Sequence, residues 1–310
     1  MRIGVTVPLA YGDVADGRAP AWQETVEYAQ LAEKVGLDSI WVYDHLIFRF
    51  PPEPDEGLHE AWTILTGLAP LVPRVELGNL VMCTSFRNAG LMAKMAATLD
   101  TISGNRLILG MGAGWHEPEY DAFGYPFDHL VGRFEEDIEV IDRLLRGEQV
   151  TFDGRWSRYD RAQLLPPAPR KTPVLIASKG ERMLGLTAKW ADAWNTAWYG
   201  RIDDTLRERN AGIDAALDAA GRDRGSLRKT VGIRLHEPGQ RGDDAKGTDA
   251  DAAGLAELFD ELDAFGYHDA IVWAVGKTTA AVERLAEARQ LHLQRRLASV
   301  GAADPVSDAS

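Results

Sequence analysis

The chain has 310 residues, 45% hydrophobic and 26% charged, the balance of a soluble globular protein. Its formal net charge of -13 argues against nucleic acid or an anionic membrane as partner, since both need basic surface, and leaves room for an anionic small molecule held by local positive charge. The single cysteine, Cys83, cannot form an internal disulfide, the N-terminal MRIGVTVPLAYGD has too short an apolar run for a signal peptide, and no run approaches a membrane span; a cytoplasmic location is expected.

Short β-like runs alternate with longer helical ones. Ile3 to Pro8 predicts a first strand and Trp22 to Val35 a helix stopped by Gly36. Ser39 to Tyr43 predicts a second strand, Ala61 to Leu71 a helix ended by Pro73, Leu77 to Cys83 a third strand, and Leu91 to Ile102 a helix. Arg106 to Leu109 predicts a fourth strand; Phe134, Ile138, Ile141 and Leu145 give helical spacing from Arg133 to Arg146. Pro173 to Ala177 and Ala193 to Thr196 predict the next strands, with helices over Glu181 to Ala191 and Asp203 to Ala220. Thr230 to Leu235 and Ala270 to Val275 predict the last two, followed by helices over Asp251 to Phe265 and Thr279 to Arg296.

Eight βα units over this length predict one α/β domain, a closed (β/α)8 TIM barrel over residues 1–298, with a flexible tail at 299–310. An open doubly wound sheet is disfavoured, because PLAYGD follows the first strand where a Gly-rich fingerprint belongs. Residues 147–172 form an insertion between strands 4 and 5, with a hairpin over Val150 to Tyr159 turning at Asp153-Gly154. It is either a lid over the barrel mouth or a hairpin packed outside. His236 to Asp249 predicts a mobile loop.

Barrel chemistry sits at the C-terminal strand ends. The second strand leads into Asp44-His45, the third into Arg87, the fourth into Gly110, Gly112 and Gly114 and then Trp115, and the fifth into Ser178-Lys179-Gly180. Glycines on a strand let a ligand approach the backbone closely. A histidine at a strand end exchanges protons near neutral pH. Ser178-Lys179-Gly180 before a helix fits an anion site or a plain N-cap. Arg87 fits a substrate or phosphate contact, or a salt bridge at a helix start. Trp115 is the tryptophan placed to line the site. His116-Glu117 lacks a second pair at metal spacing, so no metal is expected. Glu119-Tyr120 reads as loop architecture.

The segments WVYDH, LGNLVMCTSFRN through TLDTISGNRLILGMGAGWHEPEYDAFG, and PVLIASKG through KWADAWN together resemble the luciferase-like monooxygenase superfamily, nearest to its probable F420-dependent oxidoreductase group. The resemblance implies that His45 handles the proton, that Asp44 contacts the cofactor, and that Ala177, Ser178, Lys179 and Gly180 hold the cofactor phosphate. It further implies a non-proline cis peptide at Asn79-Leu80 or Leu80-Val81, with Leu80 and Val81 under the ring, and Gly110 and Gly112 in the cofactor site. The luciferase branch places an FMN-phosphate arginine where Ala113 stands, which favours coenzyme F420 over FMN. The implied activity is hydride transfer between F420 and a small organic substrate. The alternative is an FMNH2-dependent two-component monooxygenase; a non-catalytic flavin-binding barrel ranks third. A separate flavin or F420 reductase and a homodimer are the expected partners.

Overall fold

The structure, a computed structural model, describes residues 1–14 and 17–303, with side chains described as far as residue 298. Its strands are β1 (Arg2–Thr6), β2 (Ser39–Val42), β3 (Glu76–Asn79), β4 (Leu107–Gly112), β5 (Val174–Ala177), β6 (Ala193–Tyr199), β7 (Arg228–Leu235) and β8 (Asp269–Ala274). Each pairs in parallel with its sequence neighbour, and β8 returns to β1 with Ala270 opposite Ile3, so the sheet closes as a TIM barrel. The helices are α1 (Trp22–Lys34), α2 (Ala61–Leu68), α3 (Ala89–Ser103), α4 (Glu117–Phe123), α5 (Leu130–Leu145), α6 (Glu181–Trp190), α7 (Asp204–Ala219), α8 (Ala252–Ala264) and α9 (Thr279–Ala303). None of the described helices is long and apolar enough to cross a membrane.

Period-2 alternation sends one face of each strand outward against the helices and the other into the barrel. The outer face joins the large core that includes Ile3, Ile40, Leu77, Leu109, Phe134 and Phe259. Inside, Trp41, Ile108, Leu175, Ala193 and Ile271 form a separate plug. Trp41 fits because Gly78 beside it has no side chain: a Cβ there would lie 2.2 Å from the indole. The indole Nε1 donates to Ser39 Oγ at 2.8 Å, so the plug leaves this polar atom satisfied.

Several boundaries differ from the sequence reading. The third strand does not run unbroken to Cys83. It leaves the ladder after Asn79, and Met82–Cys83 rejoins β4 higher up, opposite Met111 and Gly112. β4 extends to Gly112 and β6 to Tyr199. α4, between Pro118 in its first turn and a left-handed Gly124 at its end, has no counterpart in the predicted elements. The last helix continues to Ala303, and the rest of the expected tail, 304–310, lies outside the described residues.

The hairpin between β4 and β5 pairs Val150–Asp153 with Arg158–Ala162. Asp153 lies opposite Arg158, so the turn comprises residues 154–157 and not Asp153-Gly154. Its tip is fixed to α5: the Glu136 carboxylate accepts from the backbone N–H groups of Arg155, Trp156 and Ser157 at 2.7, 3.0 and 3.1 Å. Trp156 lies over Gly132, where a Cβ would meet the ring at 2.5 Å. Tyr159 accepts from Gly90 N at 3.4 Å, which ties the hairpin to the start of α3.

Between this hairpin, α5 and residues 84–89 lies a cavity of about 250 Å³, with Asp137 on its wall. Asp137 has no hydrogen-bonding or ion-paired partner among the described residues. Burial, then the adjacent Glu136, pushes its carboxyl up to about 7. The folded state therefore holds a proton that the unfolded chain releases near its ordinary value of 3.8, and stability falls as pH rises from there to about 7. Asp137→Asn removes this penalty. The variant is expected to be more stable than the parent by about 1–3 kcal/mol at pH 8 and indistinguishable from it below pH ~4, measured by urea unfolding. An equal difference at both pH values would contradict this account.

Candidate functional site

The C-terminal strand ends gather Tyr43 to His45, Cys83 to Arg87, Ala113 to Glu119 and Ser178 to Gly180 at one mouth. The geometry starts from the break in β3. The Leu80–Val81 peptide is cis, at one of the two expected positions; a second non-proline cis peptide, Ala197–Trp198, was not expected. Leu80 donates its N–H to Val42 O at 2.7 Å, and Leu80 and Val81 rest half-buried on the plug of Trp41, Ile108 and Leu175. They form an apolar platform across the barrel.

The glycines of β4 serve that crossing. A Cβ on Gly110 would lie 1.8 Å from the carbonyl oxygen of Asn79, and one on Gly112 would lie 2.7 Å from Val81 Cγ2. The sequence reading assigns both to close approach by a ligand; in the structure the Asn79 carbonyl approaches Gly110 and the Val81 side chain approaches Gly112. Gly114, at φ +86, clears the Tyr120 hydroxyl, which a Cβ would meet at 1.7 Å.

Asp44 and Arg87 are given to each other. Arg87 makes a two-pronged contact with the Asp44 carboxylate at 2.7 and 3.0 Å, and Cys83 N donates to the same carboxylate at 2.9 Å. Arg87 also reaches Glu60 at 2.5 Å, and Glu60 accepts from Trp62 N and Thr63 N at the start of α2. Burial raises the Asp44 carboxyl above its ordinary value, opposed by Arg87 and the Cys83 amide. Asp44 is buried and ties the end of β2 to Cys83 and Arg87. The salt-bridge reading of Arg87 matches this geometry, although the bridge is sheltered.

His45 has a different partner. Its Nδ1 lies 3.0 Å from Glu119 Oε1, and Glu119 Oε2 accepts from Leu46 N at 2.8 Å. Glu119 is buried, so one carboxylate grips both the ring and the backbone that follows it. A carboxylate only accepts; Nδ1 therefore carries the hydrogen and Nε2 is left with its lone pair in the neutral ring. Glu119 is the partner of His45 that the sequence reading places in plain loop architecture. His116 beside it accepts from Arg49 N at 3.1 Å through Nε2, and burial holds its pKa below the ordinary value. The rings of Phe48 and Trp115 stand 4.5 and 5.6 Å from that of His45.

At the end of β5 the buried side chain of Ser178 meets Thr187 Oγ1 at 2.8 Å and does not cap α6. The cap residue is Gly180, which brings no side-chain acceptor, and the first N–H groups of α6 stay open. Lys179 stands there with Arg209, whose guanidinium donates to Lys179 O at 3.0 Å. Lost solvent around its ammonium, then the nearby Arg209 and Lys246, lower the Lys179 pKa. Open helix amides beside clustered cations have the chemistry to hold an anion. Across the mouth, Lys277 is fully buried, donates to Thr6 Oγ1 at 2.6 Å and lies 3.6 Å from Asp13, which also takes the Tyr43 hydroxyl. Burial drops the Lys277 pKa to about 8. Sequence reasoning missed this cluster, because its members come from β1 and from the segments that follow β1, β2 and β8. Among the described residues, no group of His, Cys, Asp or Glu is placed to hold a metal.

Closed parallel staves, a pair of half-buried apolar residues on the plug and a histidine held by a carboxylate thus meet at the C-terminal end of the barrel. A sequence profile of the luciferase-like monooxygenase family matches residues 1–237, and the chain belongs to that family. It is 35% identical over 164 residues to an F420-dependent glucose-6-phosphate dehydrogenase of Amycolatopsis mediterranei, covering 51% of this chain and 48% of that protein. It is 35% identical over 213 residues to a phthiodiolone/phenolphthiodiolone dimycocerosates ketoreductase of Mycobacterium tuberculosis, covering 62% and 55%. The matches thus span about half the length of these curated relatives. An F420-dependent secondary alcohol dehydrogenase, solved with an F420-acetone adduct, superposes with a TM-score of 0.78 at 17% identity over 94% of this chain and 98% of its own. A monooxygenase from Streptomyces bottropensis does so at 0.74 and 19%, over 96% and 100%. At these identities the likeness is one of fold.

Gly110→Ala tests the packing of the site. A methyl group 1.8 Å from a carbonyl oxygen has no room, so a loss above about 3 kcal/mol and a lower soluble yield are expected. Gly180→Ala, where a Cβ meets nothing within 4 Å, is the control and is expected to keep its melting temperature. Equal tolerance of both changes would contradict the crossing described above.

Proposed function

We propose that this chain is an oxidoreductase that uses coenzyme F420, with His45 exchanging the proton that accompanies hydride transfer to or from a small organic substrate. The observation that carries the reading is the His45–Glu119 pair, which leaves Nε2 with no hydrogen-bond partner among the described residues. The residues present fit the cofactor. Leu80 and Val81 offer one face for a planar ring, and the open amides of α6 with Lys179 offer a seat for its phosphate. When bound, the deazaflavin supplies the hydride at its C5. The chain's own part is orientation and proton handling: Glu119 keeps the imidazole in one tautomer, and Nε2 takes or returns the proton at the substrate's polar atom. Asp44 and Arg87 position this segment from beneath. Ala113, whose carbonyl accepts from Tyr120, supports F420 over FMN, because it brings no cation to an FMN phosphate. A homodimer, a separate reductase that recharges the cofactor, a cytoplasmic location and a lid role for residues 147–172 belong to the same reading.

Fluorescence titration with F420 and with FMN, each oxidised and reduced, is the direct test, and micromolar binding of F420 is expected. Binding of FMNH2 with none of F420 would replace the proposal by the monooxygenase reading. In the loaded enzyme, His45→Ala is expected to keep cofactor affinity and lose ~10²–10⁴-fold in kcat. Glu119→Gln, acting through His45, is expected to move the pH profile of kcat with cofactor affinity unchanged. A flat kcat across both variants would remove the pair from the mechanism.

A further inference from the structure

Beside His45 the structure builds a wall that the cofactor reading does not use. Ile47–Phe48 pairs antiparallel with Glu56–Gly57, so Phe48 is carried on a short hairpin and not on loose chain. Phe48 stacks on Phe50 with ring centres 6.0 Å apart and planes at 24°. Phe50 in turn stacks on Trp115 at 6.3 Å and 19°. The three rings form a stack that curves round the imidazole, with Phe48 at 4.5 Å and Trp115 at 5.6 Å from the His45 ring, and two of its members are open to solvent: Phe50 is 50% exposed and Trp115 60%. Large aromatic faces left wet beside a proton-exchanging nitrogen are costly unless something apolar covers them. The cations on the neighbouring segments are already neutralised. Arg49 holds Asp55 through Nε at 3.0 Å and through its terminal nitrogen at 2.7 Å, Arg87 holds Asp44, and Lys277 lies against Asp13 and Thr6.

We infer that the substrate is an uncharged molecule with an aromatic or long alkyl body, which lies along Phe48, Phe50 and Trp115 while its one reacting oxygen meets His45 Nε2. This rests on the oxidoreductase reading above. A phosphorylated sugar would find the arginines of the neighbouring segments already paired, Arg49 with Asp55 and Arg87 with Asp44.

The test is calorimetric titration of the F420-loaded protein with acetophenone, with 1-phenylethanol and with glucose 6-phosphate. Phe50→Ala and Trp115→Ala are titrated in parallel; both positions are exposed, and melting temperatures verify that the variants fold. Acetophenone or its alcohol is expected to bind and glucose 6-phosphate not to. Each variant is expected to weaken the aromatic ligand roughly tenfold, the scale of one lost aromatic contact, with F420 affinity unchanged. Tighter binding of glucose 6-phosphate than of acetophenone, or unaltered acetophenone affinity in both variants, would overturn the inference. A failure of F420 itself to bind would instead sink the cofactor reading, and the same titrations on the cofactor-free protein would then judge the wall by the same two criteria.

Discussion

The site depends on one packing constraint: the chain must cross the barrel between β3 and its continuation without a side chain of β4 in the way. Gly110 and Gly112 meet that constraint at the Asn79 carbonyl and at Val81. Once the crossing is made, Leu80 and Val81 cap the plug around Trp41, and Cys83 arrives where its N–H meets Asp44. A larger residue at position 110 would push β3 from β4 and carry the platform and the Asp44 anchor with it. The rigidity of the mouth follows from steric exclusion first and from hydrogen bonds second.

Two buried carboxylates then divide the work. A carboxylate removed from water costs several kcal/mol unless it is paired and its remaining lone pairs are occupied. Asp44 meets this cost with the fork of Arg87 and one backbone N–H. Glu119 has no arginine. Its oxygens take the His45 ring and the Leu46 N–H, so the same requirement that it be satisfied orients the imidazole. The residues nearest each other in sequence, Asp44 and His45, thus answer to different partners.

Much of the fold was legible, because eight apolar runs separated by amphipathic helices leave few topologies open. The break in the third strand was not legible as a break: LGNLVMC keeps an apolar character through it, and only the glycines of the next strand betray it. Placing ligand next to those glycines was a natural reading, since a missing Cβ admits any close neighbour and sequence does not say which. Glu119 escaped because an acidic residue in EPEYDAF reads as solvated. The signal available was Pro118 and Gly124 bracketing a short helix, which would have turned one side of that segment inward. Ser178 shows the converse: its position suggested a cap, yet its hydroxyl bonds Thr187 within the same βα unit.

The central claim is that Glu119 fixes His45 with the hydrogen on Nδ1 and leaves Nε2 unprotonated. Nitrogen-15 NMR of histidine-labelled protein, at a pH where imidazoles are neutral, reads this directly. The account predicts a protonated, pyrrole-type Nδ1 and an unprotonated, pyridine-type Nε2 for His45, with the signals moving toward a tautomer mixture in Glu119→Gln. A His45 ring protonated on Nε2, or one whose signals are unmoved by the Glu119 change, would contradict it.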